Sequence, residues 1–198
     1  MSRARHIKGA VQREDFVMRL ALTPIFVAVF LMFAGASFAM DKENTLYIDL
    51  KDGRVVIEMR PDLAPAHVAQ IKKLAREGKY DGVVFHRVIE GFMAQTGDPQ
   101  GTGSGGMGEL LKAEFSKEPH ARGIVSMART NDPNSARSQF FIVLKDSNFL
   151  DGQYTVWGKV TSGMEFVDKI KRGAPGSGAV TAPADKMIKV QVAADAKN

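Results

Sequence analysis

From Thr45 onward the apolar runs are short and are separated by clusters of Gly, Asn, Asp and Pro, and this punctuation constrains the fold more than any other feature. Short β-branched or aromatic runs bounded by turn residues have the pattern of strands. Thr45 to Leu50 and Arg54 to Met59 flank Asp52-Gly53, whose glycine accepts positive φ, and together they predict a β-hairpin. Further strands are predicted over Val83 to Ile89, Phe92 to Gln95, Ile124 to Ala128, Gln139 to Leu144, Thr155 to Val160 and Met187 to Val192. Only two segments have helical character. Pro65 suits a first helical turn, where a missing N–H costs nothing, and Val68, Ile71, Leu74 and Ala75 recur at helical spacing until Gly78. Ser162-Gly163-Met164-Glu165 matches a capping box and predicts a second helix through Ile170. Many short strands, two separated helices and no regular βαβ alternation predict a mainly β fold, an antiparallel sheet or barrel.

Ahead of this body, residues 20 to 39 carry no charge, Arg19 precedes them, and Ala36-Ser37-Phe38-Ala39 supplies small residues of the kind a signal peptidase reads. Residues 1–39 are therefore expected to be an export leader cleaved after Ala39, with 40–198 as the mature domain. The preferred reading places no membrane segment in the mature chain; an uncleaved anchor is the alternative. Met18 is a second candidate start, which would make residues 1–17 an upstream extension. The expected location is exported, and periplasmic in a Gram-negative source.

The leader holds Arg3, Arg5, Lys8, Arg13 and Arg19 against Glu14 and Asp15, so three of the five formal positive charges belong to it. The body is left too nearly neutral for a nucleic-acid partner, which requires a clustered basic face. No cysteine is present, which excludes disulfides, cysteine-ligated metals and a thiol nucleophile. The four histidines have no metal spacing, and no G-x-S-x-G occurs. Gly101-Thr102-Gly103-Ser104-Gly105-Gly106 satisfies G-x-G-x-x-G, but no strand directly precedes it and no helix opens on it, so it reads as a mobile loop able to approach another backbone closely. No cofactor and no metal is expected.

Residues two apart on a strand share a face. Arg87, the pair Met93 and Gln95, and the pair Gln139 and Phe141 can each face one surface, with His86, Ala94 and Phe140 turned away. One face would then carry a guanidinium, two amides, a thioether and a phenyl ring. Taken singly, these residues read as core or as solvated strand positions. Taken together, two stretches with the same polar and apolar recipe point to a site.

The series Phe85-His86-Arg87, Gly91-Phe92-Met93, Gln95, Gly97-Asp98, Gly101-Thr102-Gly103, Ser138-Gln139-Phe140-Phe141-Ile142, Leu150-Asp151-Gly152 and Gly158-Lys159-Val160 resembles, in order, the pattern of the cyclophilin family of peptidyl-prolyl cis-trans isomerases. The resemblance runs from about Thr45 to about Val192. It implies an eight-stranded antiparallel β-barrel capped by two α-helices, with a site on its outer face, acting as a monomer on proline-containing polypeptides. It further implies Arg87 as the catalytic arginine, Phe92, Met93, Phe141 and Leu150 as a proline pocket, and Gln95, Ala128, Arg129 and Gln139 as neighbours holding the peptide backbone. Departures are Glu90 for proline, Thr96 for glycine and Arg129 for asparagine. Phe149 stands where drug-sensitive members carry tryptophan, and Tyr154 where they carry histidine. Both belong to the implied binding surface, and the two changes imply weak cyclosporin binding. The competing reading is a non-catalytic chaperone or adaptor of the same fold, for which Arg87 would have no use.

Overall fold

The computed structural model describes residues 40–197, and the leader assigned to 1–39 lies outside them. Eight strands form one antiparallel sheet: β1 (Thr45–Leu50), β2 (Gly53–Met59), β3 (Arg87–Ile89), β4 (Met93–Thr96), β5 (Ile124–Met127), β6 (Phe140–Val143), β7 (Val156–Ser162) and β8 (Lys189–Val192). Their spatial order is β3-β4-β6-β5-β7-β2-β1-β8. Helix α1 (Pro65–Arg76) packs against β8 and the short helix α2 (Met164–Val167) against β2. The expected mainly β fold with eight antiparallel strands and two helices is what forms. No helix among the described residues is long and apolar enough to cross a membrane.

The β1–β2 hairpin pairs Leu50 with Gly53 around the expected Asp52-Gly53 turn. The sheet curls, and its two edges meet at a seam where Phe85 N–H donates to the Asp185 carbonyl and Met187 N–H to the Val83 carbonyl. That seam corrects the strand expected over Val83 to Ile89. Only Arg87–Ile89 pairs with β4, because the preceding residues are taken up by the segment before β8, with a single bridge between Val84 and Lys186.

Inside the curl, Trp157, Tyr80, Phe85 and Phe140 are fully buried. Phe140 meets Tyr80 and Trp157 edge-on, with centroids 5.7 and 5.3 Å apart. Burying side chains of this size contributes about 1.5 to 3 kcal/mol each, so this cluster dominates the interior.

The capping box is not formed. Ser162 ends β7, where pairing with Val56 of β2 claims its backbone. Gly163 becomes the N-cap at φ +85°, without a side-chain cap, and a Cβ there would lie 2.3 Å from the Arg54 carbonyl oxygen. The helix is accordingly four residues long, and turns carry the chain on to Ile170.

Helix α1 begins as expected at Pro65, but its N-cap, Ala64, has no side chain able to accept a hydrogen bond. Glu114 fills that role from a distant loop. Its carboxylate accepts from the N–H groups of Ala66 and His67, each at 3.1 Å, and lies 2.6 Å from His67 Nδ1. Burial pushes the Glu114 carboxyl up, but the His67 ring and the two N–H groups outweigh burial and hold it below its usual range. A depressed carboxylate contributes stability above its unfolded pKa and loses that contribution as pH falls through the folded value. Glu114→Ala should lower the unfolding free energy by about 1 to 3 kcal/mol at pH 7, with the difference from wild type shrinking below about pH 4. Urea titrations at both pH values with an unchanged m-value check this.

Candidate active site

Strand pairing places Arg87, Gln95, Phe141 and Ser126 opposite one another across β3, β4, β6 and β5. The row Val88, Ala94, Ile142 and Val125 is set one residue away and faces the interior. Residues opposite in register share a face, so the first row lies on the outer surface. There Met93, Ile124, Phe141, Val143, Leu150 and Val156 form an apolar cluster separate from the main core, edged by Phe92, Ala128 and Tyr154. Tyr154 stands edge-on to Phe141 at 5.8 Å. Phe149, two-thirds exposed, rests on Phe92 with centroids 5.4 Å apart.

A polar chain runs beside this cluster. Arg87 Nη1 donates to Gln95 Oε1 at 3.3 Å, and its Nε donates to the Ser177 carbonyl at 3.1 Å. Gln95 Nε2 donates to Gln139 Oε1 at 2.9 Å. Gln139 Nε2 in turn donates to the carbonyls of Gly103 and Gly105 at 3.0 and 2.7 Å. The structure thus brings Arg87, Gln95, Gln139, Phe92, Met93, Phe141, Leu150, Ala128, Tyr154 and Phe149 onto one face. Arg129 joins them with its guanidinium over the Tyr154 ring at 4.6 Å, donating to the carbonyls of Gln153 and Thr130.

The glycine loop is more anchored than its composition suggests. Asp98 is fully buried, and its carboxylate accepts from the N–H groups of Gln100, Thr102, Gly103 and Gly105 and from the Thr102 hydroxyl. Burial opposes ionisation, but these hydrogen bonds outweigh it and lower the carboxyl to about 2. The loop approaches closely: a Cβ on Gly105 would meet Asp98 Oδ1 at 2.1 Å. Its ends are tied to the sheet as well, with Met107 N–H donating to Ser138 Oγ, which donates to the Gly97 carbonyl.

Sequence reasoning missed the support beneath the apolar cluster. His120 is buried, with Nδ1 2.9 Å from Asp151 Oδ1 and Nε2 3.1 Å from Ser126 Oγ, and its ring stacks against Phe141 at 6.4 Å. His120 and Asp151 are 31 residues apart with no local signature; only the Leu150-Asp151-Gly152 stretch hinted that Asp151 mattered. His86 is buried, but its ring lies against the glycine loop, with Cδ2 and Nε2 3.4 and 3.5 Å from where a Cβ on Gly103 would sit. It so stays beside the Gln139 chain where it was expected to turn away from the site, and burial pushes the ring below its usual range. No group of three or more potential ligands could hold a metal among the described residues.

Residues 45–192 match the model of the cyclophilin type peptidyl-prolyl cis-trans isomerase family. A probable peptidyl-prolyl cis-trans isomerase of Brucella suis is 53% identical over 197 residues, covering 92% of this chain and all of that one. Peptidyl-prolyl cis-trans isomerase B of Bacillus subtilis is 47% identical over 133 residues, covering 66% of this chain and 92% of that one. Among solved structures, the cyclophilin AquaCyp293 of Hirschia baltica superposes with a TM-score of 0.70 at 31% identity, covering 79% of this chain and 76% of that one. A Cryptosporidium parvum cyclophilin type peptidyl-prolyl cis-trans isomerase, solved in the presence of the dipeptide Ala-Pro, gives 0.70 at 28% identity, with coverages of 78% and 99%.

Removing the Asp98 charge should release the loop. Asp98→Asn is expected to lower stability by about 2 to 3 kcal/mol and to speed amide exchange at Gly103 and Gly105. The contribution of this carboxylate is complete above about pH 4 and is lost as pH falls toward about 2. The variant should therefore lose part of the wild-type acid-denaturation slope in that window, as followed by circular dichroism.

Proposed function

The chain belongs to the cyclophilin-type peptidyl-prolyl cis-trans isomerase family and is an isomerase of that kind, and from that premise we propose that Arg87 speeds X-Pro rotation by stabilising the twisted amide while the outer apolar cluster grips the proline ring. The observation that carries this reading is the fixed chain from Arg87 through Gln95 to Gln139 alongside Phe92, Met93, Phe141 and Leu150. The Ala-Pro dipeptide present with the Cryptosporidium parvum relative supports a proline-containing segment as the occupant.

The barrier to X-Pro rotation is about 18 to 20 kcal/mol, because the planar amide must give up its resonance. Twisting returns a lone pair to the prolyl nitrogen, which becomes a better acceptor than it is in the ground state. Arg87 has five N–H donors. Those not used on Gln95 and the Ser177 carbonyl are free to donate to that nitrogen, an interaction that strengthens in the transition state. A charge-assisted hydrogen bond contributes about 1.5 to 3 kcal/mol, so the arginine acts together with the apolar cluster. That cluster holds the ring and excludes water, which favours the planar, polar amide. Gln95 and Gln139, whose amides are oriented by their own hydrogen bonds, anchor the peptide backbone while one side of the bond rotates. No bond is broken, and the mechanism requires no nucleophile or cofactor.

We also propose that the enzyme works after export, on folding or flexible chains outside the cytoplasm, with residues 1–39 as its cleaved leader. What supports this is the uncharged segment 20 to 39 and the small residues that end it. Intact-mass analysis of secreted material should give a chain beginning at Met40; one that retains residues 20 to 39 and pellets with membranes means an anchor instead.

Arg87→Ala should lower kcat/KM by about 10- to 100-fold, while the Kd for an Ala-Pro dipeptide changes less than about threefold. Paired kinetic and calorimetric titrations decide this. Equal losses in both would make Arg87 a ground-state binding residue.

A further inference from the structure

Eight arginines fall among the described residues. Five of them, Arg54, Arg60, Arg76, Arg122 and Arg172, pair with carboxylates. The other three, Arg87, Arg129 and Arg137, have no carboxylate partner among the described residues. Their hydrogen bonds go to uncharged oxygens: the Gln95 amide, and the carbonyls of Ser177, Gln153, Thr130, Asn131 and Gly108. All three lie on the site face. Arg129 and Arg137 line a cavity of about 480 Å³ that shares Gln95, Ala128 and Gln139 with the peptide-binding surface and is completed by Gly103, Leu110, Thr130 and Ser135. Among the described residues no acidic side chain lines it. Asp132, on the loop beside Thr130, has its Oδ1 turned to the Asn134 N–H.

Arg129 spends donors on the carbonyls of Gln153, Thr130 and Asn131, and Arg137 spends Nε and Nη2 on the Gly108 carbonyl. Each is thereby held in place while still having N–H groups to offer. Their charges, unlike those of the other five arginines, are left for a ligand to neutralise. Gln139 and Phe141 are two residues apart on one strand face, so the cavity and the proline position lie about 7 Å from each other, the span of two residues of an extended peptide.

We propose that this cavity is a specificity subsite that takes a carboxylate side chain, Asp or Glu, carried within two residues of the isomerised proline. Arg129 and Arg137 are its partners. The proposal rests on the isomerase reading above and names the substrate class of that same site.

The test is a set of peptides with one proline and a single variable residue, Glu, Gln or Lys, at each position from two before to two after it. At low ionic strength the wild-type kcat/KM should favour Glu over Gln by about three- to tenfold at one position, with Lys below Gln there. The preference should shrink as salt is added. Arg129→Gln and Arg137→Gln should each bring the Glu-to-Gln ratio toward one, and Arg137→Lys should keep most of it. The ratio is the readout because damage to the fold lowers both peptides together. A wild-type ratio near one at every position overturns the proposal and leaves the isomerase reading intact, as does a preference that neither arginine variant alters. A wild-type protein inactive on every peptide, the neutral ones included, overturns the isomerase reading instead.

Discussion

The two-residue period of β6 sends Phe140 into the main core and Phe141 to the outer cluster, so one four-residue strand builds both the interior and the site floor. A slip of one residue in its pairing would exchange the two rings and move Gln139 off the site face. The slip is opposed from both sides. Phe140 is locked against Tyr80 and Trp157, and Phe141 against His120 and Tyr154. Strands β4 and β5 repeat the arrangement, with Ala94 and Val125 inward and Met93 and Ile124 outward. The site therefore inherits its geometry from core packing, and a large side chain lost from the inner face would be felt on the outer one.

Hydrogen-bond direction supplies what packing cannot. An isolated glutamine amide can rotate to exchange its donor and acceptor ends, and nothing in β4 or β6 prevents this. The exchange is blocked from the loop. Asp98 accepts N–H groups from Gly103 and Gly105, and the carbonyls of those same glycines accept from Gln139 Nε2. Gln139 must then present Oε1 to Gln95, which must present its own Oε1 to Arg87. One buried carboxylate thus sets the polarity of a chain that ends at the proposed catalytic guanidinium, through a loop whose glycines permit the close approach.

The parts of this molecule legible in its sequence are those governed by local periodicity. The Asp52-Gly53 hairpin, the start of α1 at Pro65 and the face assignments of Arg87, Gln95, Gln139 and Phe141 follow from spacings of two or from single-residue geometry. Leu150 within the apolar cluster and Tyr154 at its edge were reached through family resemblance, since no spacing connects them with Phe92. What stayed illegible depends on tertiary partners. Glu114 caps α1 from 47 residues away, and the carboxylate that replaces a local cap leaves no mark near Ala64. The capping box at Ser162 failed for the opposite reason, because a good local motif lost its serine to a strand. The Val83 to Phe85 run kept its extended character but pairs across the seam, which only the closed curl provides.

A site on the outside of a curled sheet suits a reaction that needs orientation more than enclosure. Rotation about an X-Pro bond swings one side of the peptide through space, and an enclosed cavity would have to accommodate that sweep. An open face needs to immobilise only the proline ring and the backbone on one side. In the proposed mechanism the apolar cluster and the Gln95–Gln139 pair take those two tasks, while Arg87, partly exposed at the edge strand β3, donates to the nitrogen from beside them. Water is the competitor at such a face. Any donor that water could rotate or satisfy would lose its advantage in the twisted state, so a useful arginine must be fixed before substrate arrives. The Ser177 carbonyl holds Nε from one side and Gln95 holds Nη1 from the other, which leaves the remaining N–H groups oriented and unspent. On the proposed mechanism, preorganisation of this kind also accounts for a relay of neutral amides behind the arginine. A carboxylate in place of Gln95 would pair with the guanidinium more strongly, but it would draw the charge away from the nitrogen that the reaction presents.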